Sequence, residues 1–539
     1  MINKSKAILL FISVIAMVAT LYYGNAAINS NKEIVGVKVI SQGSIDSLIA
    51  GKPVNQEVFH FPLLYDGNML PYDWQTNTLY IPQNMNKIGF RGEITSDYGE
   101  LYFSDNLTFT FSGVFSNVSD MPSKNECIRD NAVFELYLIN EACYAKYNVV
   151  FTGIPVISLT YDNYNDEELS WIGKMELIDP YHKDNSFVAS DCSYRVRGNS
   201  TLAFDKRSYN LTLADKKQLC GLRDDEDWAL VAGIGDNGYI HNKLSYDLWN
   251  KISKTNKTRV DDTVNSEFVE VFYDYNYVGL YNLTEKIDKK TCNLKNGDYL
   301  YRLEERMLDD VSQIPVGDNV NPEDYPVKSP DLTEQHVYSI KWPKDTTAED
   351  HLIINNFEKA VYSIEGVDYN YATSLLNMDN IIDTRIYSNL ICAIDNWQKN
   401  AFFIAPKADN YKLSEIMWDM NETFGDNDAY RFDESFITST NMDIPYIKRL
   451  YEADPRDMSR ITYKRWKELR GSVIKKKKLK SMAKDMYDTL CNSGAMNREC
   501  AEWPELIRPE WTMDNVYNFI DGRVDFLDDY FKEEYERYN

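Results

Sequence analysis

The period of the hydrophobic pattern changes along this chain, and this change constrains the fold more than any other feature of the sequence. Up to about residue 300, short runs that alternate apolar and polar residues are separated by turn-forming clusters, as at 78–82 and 133–138. Beyond about residue 350, apolar residues recur at three- and four-residue steps, as at 378–394 and 514–538. Alternation is typical of strands, and a period near 3.6 is typical of helices. Because strands precede helices, the pattern predicts an α+β fold.

The same pattern divides the chain into segments. We predict a β-sandwich-like accessory domain of antiparallel strands over 35–150, since short strands are regularly interrupted there. A second unit over 153–300 has the order strand, helix, hairpin, with the helix starting at Asn242. Residues 301–350 are acidic and rich in proline, which indicates a linker or insertion. Residues 351–539 are predicted to be mainly helical.

The first 26 residues resemble an export signal. Lys4 and Lys6 precede an apolar run over 7–21, and small residues stand at 24–26. This arrangement is typical of a signal peptide that is removed on export. If the segment is retained, residues 7–23 would form a membrane anchor, and we expect membrane contact nowhere else. The chain is therefore predicted to be secreted or held at the cell surface.

Cysteine and histidine usage limits the possible cross-links and metal sites. Eight cysteines in an exported chain could form up to four disulfides, whose connectivity the sequence does not fix. Short spacing makes Cys127 with Cys143, and Cys491 with Cys500, the candidate pairs. No Cys-x-x-Cys occurs and the five histidines are scattered, so a zinc site is not expected.

Net charge and missing motifs exclude several function classes. The chain has 83 acidic and 58 basic residues, a net charge of −25, which is the wrong sign for a protein that mainly binds nucleic acid. It contains neither a P-loop nor a Gly-x-Ser-x-Gly motif. Gly-Ile-Gly-Asp-Asn-Gly at 233–238 matches the dinucleotide-binding fingerprint. A loop leading into the helix is the alternative, because the hairpin over 268–283 is not the parallel strand that this motif requires.

Two acidic clusters in the C-terminal half carry the strongest chemical signal. Asp395 and Asn400 have the Asp-x-x-x-x-Asn spacing of protein-kinase catalytic loops, and Asp419 follows a second apolar run. In those kinases the Asp accepts the hydroxyl proton of the substrate, while the Asn and a later Asp bind Mg²⁺. Two or three protein oxygens suffice for Mg²⁺ when substrate phosphates complete its shell. The alternative is that these residues cap helices.

Basic residues upstream of these clusters are candidates for phosphate contacts. Arg197 and Lys206 lie before a predicted strand that ends at Leu213. Phosphoryl transfer depends on cations that position phosphates and neutralise their charge. Ordinary surface ion pairs are the alternative.

Further sequence blocks occur in a recognisable order. They are Val-Arg-Gly-Asn-Ser-Thr at 196–201, Asp-Trp-Ala-Leu at 227–230, Asn-Lys-Leu-Ser-Tyr-Asp-Leu at 242–248, Gly-Leu-Tyr at 279–281, Thr-Glu-Lys-Ile at 284–287, Ile-Lys-Trp-Pro at 340–343 and Arg-Trp-Lys-Glu-Leu at 465–469. Together with the two acidic clusters, the chain from about 153 to 535 resembles the CotH family of spore-coat and surface atypical protein kinases.

The resemblance implies a two-lobed, kinase-like domain with a helical C-terminal lobe and an active site between the lobes. It also implies transfer of the γ-phosphoryl group of ATP, with Mg²⁺ or Mn²⁺, to serine-rich segments of exported or surface proteins. The implied site residues are Asp395 as the catalytic group, Asn400, Asp419 and Asn421 at the metal, and Arg197, Lys206 and Glu285 at the nucleotide.

Two departures from the family's pattern leave other functions open. Asn421 stands where a carboxylate is common, and His241 stands where many relatives have arginine. These changes make a catalytically weak surface-binding or adhesion protein with the same fold the first alternative. The second alternative is a carbohydrate-active protein with Asp395 and Asp419 as an acid/base pair. That chemistry leaves the basic blocks at Arg197 and Lys206 unexplained.

Overall fold

The structure is a computed structural model. It describes residues 34–55, 63–104, 123–165, 167–198, 200–256, 260, 263–304, 338–362, 366–396, 399–426, 431–440, 442–506 and 508–539. Helices and strands are both abundant, which confirms the mixed α+β class. The predicted export signal lies outside the described residues, and among those residues no helix has the length and apolar character to cross a bilayer. All eight cysteines are free thiols, so neither candidate disulfide is formed, because spacing along the chain does not fix the distance between two sulfurs.

The first part of the fold is a β unit with two sheets. Its strands are β1 (Ile34–Val35), β2 (Val37–Ile40), β3 (Leu64–Tyr65), β4 (Asn68–Met69), β5 (Tyr72–Asp73), β6 (Thr78–Pro82), β7 (Gly92–Thr95), β8 (Glu100–Ser104), β9 (Val133–Ile139) and β10 (Tyr144–Thr152), and its helices are α1 (Gln42–Ile49) and α2 (Lys124–Arg129). The sheet orders are β1-β7-β3-β4 and β2-β8-β9-β10-β6-β5. Side chains from both sheets share one buried apolar cluster.

These sheets are mixed, so the prediction of a purely antiparallel domain was wrong. Strand β1 runs parallel to β7, β2 to β8, and β6 to β10. Each of these pairs joins strands that are far apart in sequence. Alternation within one strand indicates which face is buried but carries no information about the partner strand.

The second part is a closed seven-stranded barrel with the order β11-β12-β13-β14-β15-β17-β16. Its elements are β11 (Val156–Asn165), β12 (Ser170–Ile178), β13 (Phe187–Arg197), β14 (Ser208–Gln218), β15 (Asp224–Val231), helix α3 (His241–Ser253), β16 (Ser266–Tyr273) and β17 (Asn276–Glu285). One parallel pair, β11 with β16, closes the barrel. Closure leaves no free strand edge, and the fully buried Trp228 and Tyr194 help to fill the interior.

The third part combines a four-stranded sheet with helices. The sheet order is β19-β18-β20-β21, with β18 (Tyr299–Leu303), β19 (Tyr338–Trp342), β20 (Ala401–Ala405) and β21 (Ser414–Met417). The helices are α4 (Leu352–Tyr362), α5 (Tyr369–Ser374), α6 (Met378–Ile391), α7 (Pro445–Ala453), α8 (Pro455–Gly471), α9 (Lys476–Asn492), α10 (Ala495–Glu502) and α11 (Met513–Tyr538). The segment predicted as a linker at 301–350 thus contributes to strands β18 and β19, and its middle, 305–337, lies outside the described residues.

Helix α10 joins the helical part to the barrel through two buried ion pairs. Arg498 Nε lies 2.6 Å from Glu270 Oε1 on β16, and Glu499 Oε1 lies 2.6 Å from Lys206 Nζ. The Lys206 and Glu499 side chains are both 0% exposed. Charges in a protein interior are tolerated only when they are paired, so these contacts fix how the helix sits on the barrel.

The second ion pair requires a glycine on the barrel. Glu499 Oε2 accepts a hydrogen bond of 2.6 Å from the backbone N–H of Leu280. The preceding residue, Gly279, has φ +100°, and a Cβ there would lie 2.3 Å from Glu499 Oε2. Close approach of the carboxylate to the strand therefore depends on Gly279, which opens the Gly-Leu-Tyr block at 279–281.

We predict that Glu499→Gln lowers the free energy of unfolding by about 3–5 kcal/mol, because the neutral amide leaves the buried ammonium of Lys206 without a counter-charge. Glu533→Gln is the matched control, at an exposed position on helix α11, and should change this quantity by less than about 0.5 kcal/mol. Chemical denaturation at pH 7, followed by tryptophan fluorescence, measures both. Equal unfolding midpoints for the two variants would contradict the role given to the ion pair.

Candidate active site

A cleft of about 1080 Å³ lies where the barrel meets the helical part. Its walls come from strands β13, β14 and β15, from the segment after β17, from β18, β19 and β20, and from the segment after β21. Of the predicted site residues, those that line the cleft are Arg197, Asp395, Asn400, Asp419 and Asn421. The structure therefore brings together residues that are more than 200 positions apart in the sequence.

Asp395 and Asn400 are in direct contact. A 3-10 turn over Ile394–Asn396 carries Asp395, and Asn400 Nδ2 donates a hydrogen bond of 2.6 Å to Asp395 Oδ2. Lys399 Nζ lies 2.9 Å from the other carboxylate oxygen. Burial raises the pKa of Asp395, Lys399 and Asn400 oppose this shift, and the charge of Asp419 adds to it. A carboxylate that is held in place and has a raised pKa is suited to accepting a proton.

The β20–β21 hairpin brings Asp419 to the same end of the cleft. Asn400 precedes β20 and Asp419 follows β21, and Trp418 N–H donates a hydrogen bond of 2.8 Å to the backbone oxygen of Asn400. Asp419 has φ +63°, a conformation that costs energy in a residue other than glycine and clusters at functional sites. Its backbone N–H donates to Tyr246 Oη at 3.1 Å. Neither Asp395 nor Asp419 caps a described helix, which removes the capping alternative.

Two amide side chains extend the site beside Asp419. Asn421 lines the cleft, as does Asn242 near the start of α3. Asn242 Oδ1 accepts a hydrogen bond of 2.8 Å from Met420 N–H, while its buried Nδ2 has no partner among the described residues. An orphaned buried donor of this kind indicates that an acceptor oxygen completes the site. The carboxylate and amide oxygens present are the ligand types that Mg²⁺ prefers.

Three cations lie close together in the same cleft. Arg195 and Arg197 are two residues apart on β13 and so share a face, and Lys286 directly follows β17. Burial lowers the pKa of Lys286, Asp227 at 3.9 Å opposes this, and the charges of Arg197 and Arg195 lower it further. Arg197 also lies 5.5 Å from the ring centre of Trp418. Holding like charges together costs energy unless an anion binds between them, so this group is a candidate phosphate site.

Lys206 does not belong to this group, and the prediction that it contacts phosphate was wrong. Its ammonium is buried against Glu499 and donates to the backbone oxygen of Leu280 at 2.7 Å. The sequence shows that Lys206 precedes a strand, but not that the side chain turns away from the cleft. In this case the ion-pair alternative is correct, although the pair is buried rather than at the surface.

Glu285 is also not in the cleft. Its carboxylate binds Arg223, with Nη2 to Oε2 at 2.9 Å, and accepts a hydrogen bond of 2.9 Å from Asn265 Nδ2. The next residue, Lys286, lines the cleft instead. The sequence analysis did not single out Lys286 in the Thr-Glu-Lys-Ile block. A usable signal was present, because neighbouring residues at the end of a strand face opposite sides, so Glu285 and Lys286 could not both face the cleft.

The glycine-rich 233–238 loop is not a dinucleotide-binding turn. The preceding strand β15 pairs antiparallel with β14 and β17, whereas the fingerprint requires a parallel βαβ unit. The carboxylate of Asp236 already occupies the start of α3, where it accepts from His241 N–H at 3.0 Å and Asn242 N–H at 3.1 Å. A phosphate would need those same donors.

Comparison with known protein families supports the resemblance. A family model described as CotH kinase protein matches residues 194–533, well over half of the chain. The chain belongs to the CotH family. The match begins inside β13, later than the predicted residue 153, and it contains every cleft residue named above while the first β unit lies outside it. A search of curated proteins finds no match to this CotH chain.

We predict that Lys286→Met weakens binding of inorganic triphosphate about ten- to a hundredfold, since a contact to a charged group contributes about 1.5–3 kcal/mol. Lys216→Met removes the same charge from an exposed position on β14 and should leave the affinity unchanged. Isothermal titration calorimetry gives both dissociation constants. An equal loss of triphosphate affinity in the two variants would show that net charge, rather than the cleft, determines binding.

Proposed function

We propose that this CotH protein is an ATP-dependent protein kinase that uses Mg²⁺ or Mn²⁺ and phosphorylates serine in exported or surface proteins. The observation that carries the proposal is a single cleft with the carboxylates Asp395 and Asp419 and the cations Arg195, Arg197 and Lys286. Phosphoryl transfer requires both kinds of group, because the carboxylates orient the acceptor hydroxyl and the metal while the cations hold the phosphates.

Asp395 would act as the proton acceptor. As the serine oxygen bonds to the γ-phosphorus, the hydroxyl proton passes to the Asp395 carboxylate, and the β–γ bridging oxygen leaves with the electron pair of the broken bond. Asn400 orients the carboxylate through its 2.6 Å hydrogen bond, and Lys399 lies on the other oxygen. Burial raises the pKa of Asp395, which improves its match to proton transfer near neutral pH.

The metal would be held by Asn400, Asp419 and Asn421, together with phosphate oxygens. When bound, Mg²⁺ neutralises the charge of the β- and γ-phosphates. Arg197 and Lys286 would contact the same phosphates from the other wall. The amide of Asn421 supplies an oxygen ligand without a negative charge, so we expect weak binding of the metal alone and tighter binding of the metal–nucleotide complex.

A catalytically weak surface-binding or adhesion protein with the same fold is the second candidate. Asn421 favours this reading, because loss of a carboxylate from the metal set lowers the expected catalytic rate. Its partner would then bind independently of Asp395 and Asp419. The carbohydrate-active alternative gains no support from the cleft, since glycoside hydrolysis makes no use of three grouped cations.

The decisive experiment incubates residues 27–539 with γ-labelled ATP, Mg²⁺ or Mn²⁺ and a serine-rich acceptor. Asp395→Asn should lose transfer by about 10²–10⁴-fold and keep thermal stabilisation by Mg-ATP, because it removes only the proton acceptor. Asp419→Ala should lose both, because the metal is no longer held. Asp184→Asn, an exposed carboxylate elsewhere on the barrel, is the control and should behave as wild type.

Other outcomes would redirect the account. Transfer retained by Asp395→Asn would remove this residue from the proton-transfer role. No transfer and no nucleotide-induced stabilisation in the wild type would favour the surface-binding candidate.

A further inference from the structure

A fully buried histidine lies between two buried carboxylates beside the cleft. His241, the first residue of α3, is 0% exposed. Its Nδ1 lies 2.7 Å from Asp236 Oδ1, and its Nε2 lies 3.8 Å from Asp426 Oδ2. The rings of Phe424 and Trp511 pack around it, each with its centre 6.0 Å from the centre of the imidazole. The imidazole therefore bridges two acidic groups in a site shielded from water.

The two carboxylates belong to different parts of the fold. Asp236 lies in the loop before α3, whereas Asp426 ends the segment 419–426 that follows β21. The other end of this segment is also held by α3, because Asn242 Oδ1 accepts from Met420 N–H. At the Asp426 end, Asn237 Nδ2 also donates a hydrogen bond of 3.0 Å to Asp426 Oδ2. His241 and Asn242 thus face the two ends of the segment that contains the proposed metal ligands Asp419 and Asn421.

The arrangement of charges at this point favours a charged imidazole. His241 Nε2 and Asp426 Oδ1 are buried and have no partner among the described residues. A neutral imidazole that donates from Nδ1 to Asp236 would direct the Nε2 lone pair toward a carboxylate. An imidazolium instead places its positive charge between the two carboxylates, hydrogen-bonded to Asp236 and 3.8 Å from Asp426 Oδ2.

We propose that His241 is a positioning residue, which as an imidazolium holds segment 419–426 against α3 and thereby sets the geometry of the metal-binding residues. Loss of its proton would weaken the attachment of the Asp426 end of the segment, leaving there the hydrogen bond from Asn237. The consequence for nucleotide binding rests on the proposed kinase function, whereas the consequence for the segment itself does not.

The direction of the pH dependence follows from the groups around the imidazole. Burial lowers the pKa of His241, but Asp426 and Asp236 raise it by more, so the net shift is upward from 6.5. Asp236 comes from the preceding loop and Asp426 from the segment after β21, while Phe424 and Trp511 carry no charge. Burial raises the pKa of Asp426 to about 6, so this carboxylate is charged above that pH. Attraction between the imidazolium and this carboxylate therefore sets in above about pH 6 and is lost as the pH rises through the raised pKa of the histidine.

Hydrogen exchange of the nucleotide-free protein tests the proposal directly. Protection of peptides that cover 419–426 should fall at least about tenfold between pH 6.5 and pH 9 in the wild type, after correction for intrinsic exchange rates. His241→Arg carries a permanent charge and should keep its protection at both pH values. An equal loss in wild type and His241→Arg would overturn the proposal.

A second measurement covers the case in which arginine does not fit the buried site. With ¹³Cε1-labelled histidine, the chain gives five signals, and His241→Gln identifies the one from His241. This signal should titrate with a pKa above 6.5, and Asp426→Asn should lower that pKa. A pKa at or below 6.5 in the wild type would overturn the proposal.

Binding of Mg²⁺ with a non-hydrolysable ATP analogue separates this inference from the proposed function. The affinity for the complex of Mg²⁺ and the analogue should fall at least about tenfold between pH 6.5 and pH 9 in the wild type and stay unchanged in His241→Arg. A parallel decline in both proteins would overturn the link between His241 and the metal site. Absence of binding at every pH would count against the kinase proposal, and hydrogen exchange and the titration would then decide the role of His241.

Discussion

The two buried ion pairs on helix α10 determine the rest of the structure. Arg498 pairs with Glu270 and Glu499 pairs with Lys206, so neighbouring residues of one helix place opposite charges into the barrel wall. Arg498 also donates a hydrogen bond to Asn131 in the first β unit, and one side chain thus contacts all three parts of the chain. Because buried charges are tolerated only when they are paired, these contacts favour the observed arrangement of the helical part on the barrel. The cleft is a consequence of that arrangement, since Arg195 and Arg197 come from the barrel and Asp395 and Asp419 from the helical part.

The charge distribution in the cleft differs from that of the chain as a whole. A net charge of −25 repels an anionic nucleotide at long range, but at physiological ionic strength such repulsion is screened beyond about 8 Å. Within that distance the cleft presents the grouped cations Arg195, Arg197 and Lys286 to a phosphate, and Asp419 is the carboxylate proposed to hold the metal. The lowered pKa of Lys286 reflects both burial and this grouping. An acidic protein can therefore bind a phosphate ligand at one local site.

The acidic half of the site was predictable from sequence, whereas much of the basic half was not. Asp395, Asn400 and Asp419 lie close together in the chain, and a single hairpin, β20–β21, connects them, so spacing and local pattern sufficed. Lys206 and Glu285 were assigned from residue type and position before or after a strand, but their side chains face buried partners on other elements. The parallel strand pairs of the first β unit and the Asp236–His241–Asp426 contact depend on residues distant in sequence. No periodicity within one element reports such contacts.

The central claim is that one cleft binds both nucleotide and metal. Photoaffinity labelling with 8-azido-ATP and Mg²⁺, followed by mass spectrometry of the labelled peptides, tests it most directly. The account predicts label in peptides that line the cleft, such as those containing Arg197, Lys286 or Trp342, and loss of that label in Asp419→Ala. Label spread over the surface, or label of equal strength in Asp419→Ala, would contradict a shared nucleotide and metal site.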